Sequence, residues 1–506
     1  MDIDIVVGDP GALETPLLVL PWCQGADREA ERPGDGLEAL DESLGLALTR
    51  AVTGGDFRAR RGEGLLLYRR GEAGPDRVLL TGVGERGDLT PERLRECGGR
   101  AVRRAGELGL SELSVWLSPD LLGGAADAQV AARAFSEGAV LGQWRFDELR
   151  SEPPDDDHRP ALESLALALP TANAGDAARS GAELGSVLAA AQNYARELAI
   201  RPGNIVNPKY LADEARRLGV ELGLKVTILD REMLKKDGME ALLAVAQGSE
   251  EEPFFIALER CPDPDARPLV LVGKGVTFDS GGLSLKPSSG MEHMKYDMSG
   301  AAAVLGALRA IAQLGLPANV VGLIPAVENM PSGRAVRPGD IIGSRSRKTI
   351  EVVNTDAEGR LILADALNYA ARYEPEALID IATLTGSCVV ALGAEAIGLL
   401  GNDAALIDEI RAAGDRCGER VWQLPLWDEY RELIKSDVAD IKNSGGRPAG
   451  TISAAMFLRE FVGPYPWAHL DIAGTAWAEK AGPYRSVGPT GVGVRLFTEW
   501  VRGRVG

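Results

Sequence analysis

Four carboxylates, two lysines and an arginine stand where the apolar pattern of this chain changes from strand to helix: Asp279, Asp297, Asp356, Glu358, Lys274, Lys286 and Arg360. In VVNTDAEGRLILADAL, Val352 to Leu367, two β-branched residues are followed by a break at Asn354 and Thr355. From Arg360 onward Leu361, Leu363, Ala364 and Leu367 recur at helical spacing. Asp356 and Glu358 therefore fall on a strand-to-helix turn, the place where open α/β sheets bind ligands. The plain alternative is that both acids cap the helix and complement its dipole. In LVLVGKGVTFDSGGLSLKPSSGMEHMKYDMSGAAAVLGAL, Leu269 to Leu308, Lys274 and Asp279 follow a strand, Lys286 lies in a Gly/Ser/Pro-rich loop, and Asp297 precedes a small-residue helix. Each charge alone has an ordinary reading: Lys286 as a solvated lysine, Asp297 as the neighbour of an N-cap, Lys274 as the guard of a sheet edge.

Their convergence in one part of the chain favours a site. Acids so close would repel one another without cations. Two divalent ions roughly 3.5–4 Å apart, bridged by carboxylates, would relieve that repulsion, lower the pKa of a shared water and polarise a carbonyl. Lys274 could join such a set only as a neutral amine, whereas Lys286 would stay charged and stabilise a developing oxyanion. Arg360, at a helix N-terminus, could hold a small oxyanion or pair with a nearby acid.

The elements that must position these groups read as a larger, mainly parallel sheet with helices on both faces. Its strands are PLVLVGKG, ANVVGLIPAV, TIEVVN, ALIDIATLTG and WAHLDIAG, alternating with helices that start near Ser299 and Arg360. Earlier, RVLLTGVG, TPERLRECGGRAVRRAGELG and SVWLSP read as a smaller α/β domain without a catalytic cluster. The acidic stretch RSEPPDDDHRP reads as a solvated linker, with His158 in a surface run rather than a metal tract. The expected division is an N-terminal α/β domain over 1–165, a linker and connecting helix over 166–199, and a catalytic domain over 200–506.

Composition narrows the function. A chain of 506 residues exceeds one typical core, and a net charge of -19 opposes any general attraction to nucleic acid or anionic membrane. MDIDIVVGDP has no basic leader, and no run of about 18 apolar residues occurs, so a cytoplasmic protein without signal peptide or membrane span is expected. The five cysteines, Cys23, Cys97, Cys261, Cys388 and Cys417, are scattered and never form a CxxC pair, which opposes disulfides and thiolate zinc sites. Cys388 reads as a small buried apolar residue. His158, His293 and His469 are equally scattered, so oxygen ligands must dominate any metal site.

GKGVTFDSGG, KYDMSGAAAV, ENMPSGRAVRPGDII and NTDAEGRLILADAL, continuing through DIATLTG and WAHLDIAGTAW, closely resemble the leucine aminopeptidase family of cytosolic dimetal peptidases. The resemblance runs from Asn193 to Trp500. It implies an α/β fold of two domains, the larger carrying a dimetal site, and a leucyl aminopeptidase that removes leucine or other large apolar residues from peptides with a free N-terminus. It implies that Lys274, Asp279, Asp297 and Glu358 hold one metal, and that Asp279, Asp356 and Glu358 hold a second, more exchangeable one, assisted by the Asp356 carbonyl. Mn²⁺ or Zn²⁺ would fill the two sites of each subunit, with Mg²⁺ and Co²⁺ as further candidates. Lys286 and Arg360 match the family's catalytic positions, the arginine holding a bicarbonate as general base. Met294, Thr383, Leu384, Gly386 and Ala473 match positions lining the substrate side-chain pocket, and members are usually homohexamers. The sequence departs from the family pattern at Ile200 and Arg201, where Asn and Thr are common, and at Arg347, where glycine is usual. Two other readings compete: an additional DNA-binding regulatory role, which the acidic composition opposes, and a catalytically inactive structural relative, which the intact charged set opposes.

Overall fold

The computed structural model describes residues 1–24, 36–71, 73–122, 127–152 and 160–505. Two compact units share them: Met1–Ala190 with Lys480–Ser486, and Ala191–Glu479 with Val487–Gly506. In the first unit, β1 (Asp2–Val7), β2 (Leu18–Gln24), β3 (Gly64–Tyr68), β4 (Arg77–Glu85), β5 (Glu112–Trp116) and β6 (Ser164–Leu169) form one sheet in the order β1-β6-β5-β2-β4-β3. Every neighbouring pair is parallel except β3–β4. Helices Pro91–Glu107 and Ala128–Gly142 approach closely because they meet at glycines: a Cβ at Gly98 would lie 2.3 Å from the Phe135 carbonyl oxygen. Buried Arg95 and Glu137 form an ion pair of 2.6 Å at the same contact.

β6 pairs with both β1 and β5, so the chain at 164–169 completes the first sheet. The division between units falls within the helix Gly175–Ile200, later than the 165 limit read from composition. Strand pairing, which composition does not report, is the reason. His158 and the aspartates beside it lie outside the described residues.

The second unit contains β7 (Lys225–Leu229), β8 (Phe254–Arg260), β9 (Leu269–Gly273), β10 (Gly275–Asp279), β11 (Val320–Asn329), β12 (Ile341–Ile342), β13 (Ile350–Glu351), β14 (Ala377–Ala382), β15 (Ile397–Gly401), β16 (Val421–Gln423), β17 (Ile441–Lys442) and β18 (Trp467–Asp471). Its main sheet runs β16-β15-β18-β14-β9-β11-β8-β7, with β10 paired to β11. The central strands β18, β14, β9 and β11 are mutually parallel. β9 and β14 are buried along their whole length, as their unbroken apolar runs require of strands covered on both faces. Helices Ser299–Gln313 and Gly359–Ala370 both pack on β9, β11 and β14. Asp380, the polar interruption in β14, accepts the Trp467 indole N–H at 2.7 Å and lies 2.6 Å from His469 Nδ1, which pins β14 to β18.

One strand differs from its sequence reading. Of TIEVVN only Ile350–Glu351 is strand, and it belongs to a separate sheet β12-β13-β17 rather than to the main one. The run leaves its ladder because the Val353 N–H donates to the Asn443 side chain at 2.9 Å. The acidic turn therefore approaches the main sheet from outside it.

Arg347 follows in the turn between β12 and β13 with a φ of 69°, in the left-handed region where a Cβ is unfavourable. Its N–H closes the turn on the Ser344 carbonyl at 2.8 Å. Its side chain is exposed. We expect Arg347→Gly to stabilise the second unit by roughly 0.5–1 kcal/mol, the relief of the left-handed cost less the extra chain entropy of glycine. A higher midpoint in thermal or denaturant unfolding would register it; an unchanged or lower midpoint would contradict it.

Candidate metal centre

The charged residues gather at the carboxyl ends of the central parallel strands. Lys274 follows β9, Asp279 ends β10, and Thr383 follows β14. Asp297 closes the short 3-10 turn Met291–Tyr296, and Glu358 directly precedes the helix Gly359–Ala370. Two loops are laced together to present them. The Thr355 hydroxyl donates to the Gly281 carbonyl at 2.7 Å and accepts from the Ser284 N–H at 2.8 Å, while the Thr355 N–H donates to Ser284 Oγ at 3.1 Å. Gly281 is required here twice over: its φ is +86°, and a Cβ would lie 2.8 Å from Asp356 Oδ1. Gly359 leaves the space that Lys274 fills, since a Cβ there would sit 2.8 Å from the Lys274 Nζ.

Lys274 Nζ lies 2.8 Å from Asp297 Oδ2 and 2.8 Å from Glu358 Oε1, and donates to the Thr383 carbonyl at 2.9 Å. Lys286 Nζ lies 2.8 Å from Asp279 Oδ2 and 2.5 Å from Asp356 Oδ1. Asp279, Asp356 and Glu358 each offer an oxygen, all within 4.8 Å of one another. The ordinary readings fail one by one. Lys274 is 3% exposed, too deep for an edge guard. Glu358 occupies the N-cap position without making a cap bond, and the turn is satisfied instead by Asn354 Oδ1, which accepts the Asp356 N–H at 2.9 Å. Asp297 accepts the Thr383 hydroxyl at 2.6 Å rather than capping its helix.

Burial raises the pKa of Asp297, Asp356 and Glu358, with repulsion from Asp279 adding to it and the lysines opposing it. Burial alone would lower Lys274 and Lys286, but the surrounding acids outweigh it and hold both above the ordinary lysine value. Four carboxyl groups thus share two ammonium groups, an imbalance of two charges if every acid is ionised. Asp297 Oδ2, Asp356 Oδ1 and Glu358 Oε1 are buried and make no directional hydrogen bond. Acid oxygens that meet ammonium groups here, in a cluster with more carboxylates than lysines, fit divalent cations that prefer oxygen ligands. Neither described histidine joins them: His469 is buried against Asp380, and His293 packs against Trp477 with ring centroids 5.0 Å apart.

Arg360 is buried and pushed down to about 10 by that burial, against the attraction of Glu358 and Asp471. Among the described residues no acid forms an ion pair with it. Its Nη1 donates to the Asn443 carbonyl at 2.8 Å, and its Nε has no hydrogen-bond partner. An uncommitted guanidinium edge beside an acid cluster suits an oxyanion better than a structural ion pair.

The structure places Thr383 and Leu384 in the loop after β14, Gly386 at the start of the helix Gly386–Leu392 that follows it, and Ala473 in the loop after β18. Leu384 and Ala473 are half-buried and Gly386 is exposed, with open space where its side chain would be. Met294 sits half-buried on the 3-10 turn that ends at Asp297, whose carboxylate bonds Thr383. Three residues that the sequence reading passed over hold the site together. Asn329 ends β11 and donates to Asp279 Oδ1 at 2.7 Å and to the Thr355 carbonyl at 3.1 Å. Asn443, fully buried, accepts the Val353 N–H and donates to the Asn354 carbonyl at 2.7 Å. Asp471 ends β18. Their only signal in sequence is a polar residue at the end of an apolar strand.

Comparison with known proteins agrees with this geometry. Residues 193–498 match the catalytic domain of the cytosol aminopeptidase family, and residues 23–153 match that family's N-terminal domain. The chain belongs to the cytosol aminopeptidase family, whose members are metal-dependent hydrolases acting at peptide N-termini. It is 48% identical to a "Probable cytosol aminopeptidase" of Geobacter sulfurreducens over 93% of each chain. A protein of the same printed name from Geobacter sp. is 47% identical over 99% of this chain and 100% of its own. Among solved structures, the bottromycin maturation enzyme BotP in complex with Mn superposes with a TM-score of 0.84 at 36% identity, covering 97% of this chain and 100% of that one.

Proposed function

We propose that this protein is a leucyl aminopeptidase that uses two divalent cations to hydrolyse the first peptide bond of peptides with a free N-terminus. The observation that carries the reading is the surplus of carboxylates, buried Asp279, Asp297 and Glu358 with half-buried Asp356, at the carboxyl edge of the main sheet. Lys274, Asp279, Asp297 and Glu358 would hold one cation, and Asp279, Asp356 and Glu358 the other. Mn²⁺ is favoured by the relative whose structure was solved with Mn, and Zn²⁺ suits the same oxygen set. Such ions supply Lewis acidity and a water of lowered pKa.

The chain's own residues do the rest. Lys286 keeps its positive charge between Asp279 and Asp356, and with cations taking those acids its ammonium would be available to an oxyanion. Arg360, fixed by Asn443, would hold a bicarbonate at its unused Nε, and that group would supply a general base there. Met294, Thr383, Leu384, Gly386 and Ala473 offer a mostly apolar wall to the first side chain, which favours leucine and similar residues. The cation held by Lys274, Asp279, Asp297 and Glu358 would take the neutral amine of the substrate as a further ligand, which selects a free N-terminus. A cytoplasmic location and a homohexamer complete the reading; the relatives' name supports the first, and light scattering of the purified protein tests the second. Among the described residues no helix is long and apolar enough to cross a membrane. No observation favours a DNA-binding role or an inactive relative, given a net charge of -19 and the intact charged set.

The deciding experiment compares a Leu-terminated peptide with its N-acetyl form after loading with Mn²⁺ or Zn²⁺, following products by mass. Acetylation removes the nitrogen lone pair that a cation would bind, so the free peptide should lose its first residue and the acetylated one should survive. Equal cleavage of both, or cuts at internal bonds, would point to an endopeptidase or another hydrolase.

A further inference from the structure

Asp471 is fully buried at the end of β18, and among the described residues no lysine or arginine forms an ion pair with it. A buried carboxylate without a cation is tolerated only where hydrogen bonds satisfy both oxygens. Here they come from two different loops. Oδ1 accepts the Leu384 N–H at 3.2 Å and the Ala473 N–H at 3.1 Å, with the Thr385 N–H at 3.5 Å; Oδ2 accepts the Thr385 hydroxyl at 2.6 Å.

The loop after β14 is thus held from both sides. Toward the acid cluster, the Thr383 hydroxyl donates to Asp297 Oδ1 at 2.6 Å and its carbonyl accepts from Lys274 at 2.9 Å. Toward β18, Asp471 takes Leu384 and Thr385. Thr385 extends the tie: its Oγ1 accepts the Cys388 N–H at 3.1 Å, capping the helix Gly386–Leu392, and meets the Thr451 hydroxyl at 2.8 Å. One pair of carboxylate oxygens therefore sets the separation of the Leu384 and Ala473 walls.

We propose that Asp471 is a positioning residue that sets substrate selectivity, by fixing the width of the side-chain pocket between the loops after β14 and β18. This rests on the aminopeptidase reading above. Among the described residues Asp471 makes no hydrogen bond or ion pair with the proposed cation ligands, so its loss should change which residue is accepted rather than whether cations bind. Asn in its place keeps an acceptor for the loop amides, and its amide can donate to the Thr385 hydroxyl.

The test measures kcat and KM for leucyl and alanyl peptides, with bound metal, for the wild type and for Asp471→Ala, Asp471→Asn, Thr385→Val and Thr385→Ser. For Asp471→Ala and Thr385→Val the leucyl-to-alanyl ratio of kcat/KM should fall about tenfold, the scale of one methylene in an apolar pocket, with most of the change in KM and metal content unchanged. Asp471→Asn and Thr385→Ser should retain most of the ratio. Where Asp471→Ala fails to fold, Thr385→Val carries the same comparison. A ratio unchanged in Thr385→Val, equal losses on both substrates, or loss of metal would overturn the inference while leaving the aminopeptidase reading intact. A wild type that releases no N-terminal residue would overturn that reading and the inference with it.

Discussion

Replacing Asp356 by Asn should remove one cation and lower kcat at least about a thousandfold, because several kcal/mol of charge stabilisation depend on that ligand. Asp356 contributes an oxygen to the triad with Asp279 and Glu358, and its one side-chain partner among the described residues, the Lys286 ammonium at 2.5 Å from Oδ1, can still meet an Asn amide oxygen. The turn itself should survive. Its closing bond runs from the Asp356 backbone N–H to Asn354, and Thr355 anchors the neighbouring loop. The loss therefore reports on the carboxylate charge and not on folding. Metal analysis after dialysis and turnover of a leucyl peptide measure it. Unchanged stoichiometry with normal kcat would reduce Asp356 to a turn residue.

Lys286→Ala should act in the opposite sense on the cations. Its ammonium lies between Asp279 and Asp356, and taking it away leaves two acids uncompensated, which favours a divalent cation in its place. The loop is held by the Lys286 backbone N–H on the Ser280 carbonyl at 2.9 Å, so the site keeps its shape. Metal content should persist while kcat falls roughly a hundredfold or more, the usual cost of losing one oxyanion donor. A change confined to KM would instead assign Lys286 to ground-state binding. Read together, the two variants separate holding cations from using them.

The residues of the proposed centre were legible in the sequence because charge interrupts an apolar period. Lys274 breaks the strand LVLVG, and Asp356 and Glu358 stand before the helix of LILADAL. The central strands were legible for the same reason, since strands buried on both faces leave unbroken apolar runs, as in β9 and β14. The reading of TIEVVN as a main-sheet strand failed because β propensity is local while pairing is not. Asn443, about ninety residues downstream, takes the backbone of that run out of its ladder.

The sequence by itself determined which groups are available and that they stand at element boundaries, since both follow from residue type and periodicity over a dozen residues. Tertiary structure alone decided which groups meet. The order β18-β14-β9-β11 is not the order of the chain, and only that order brings Lys274 to Thr383 across 109 residues and Asp471 to Leu384 across 87. Whether an acid is a cap, an ion-pair partner or a ligand depends on the donors around it and on the water it has lost. Those are properties of the packed strand ends, and no local pattern encodes them.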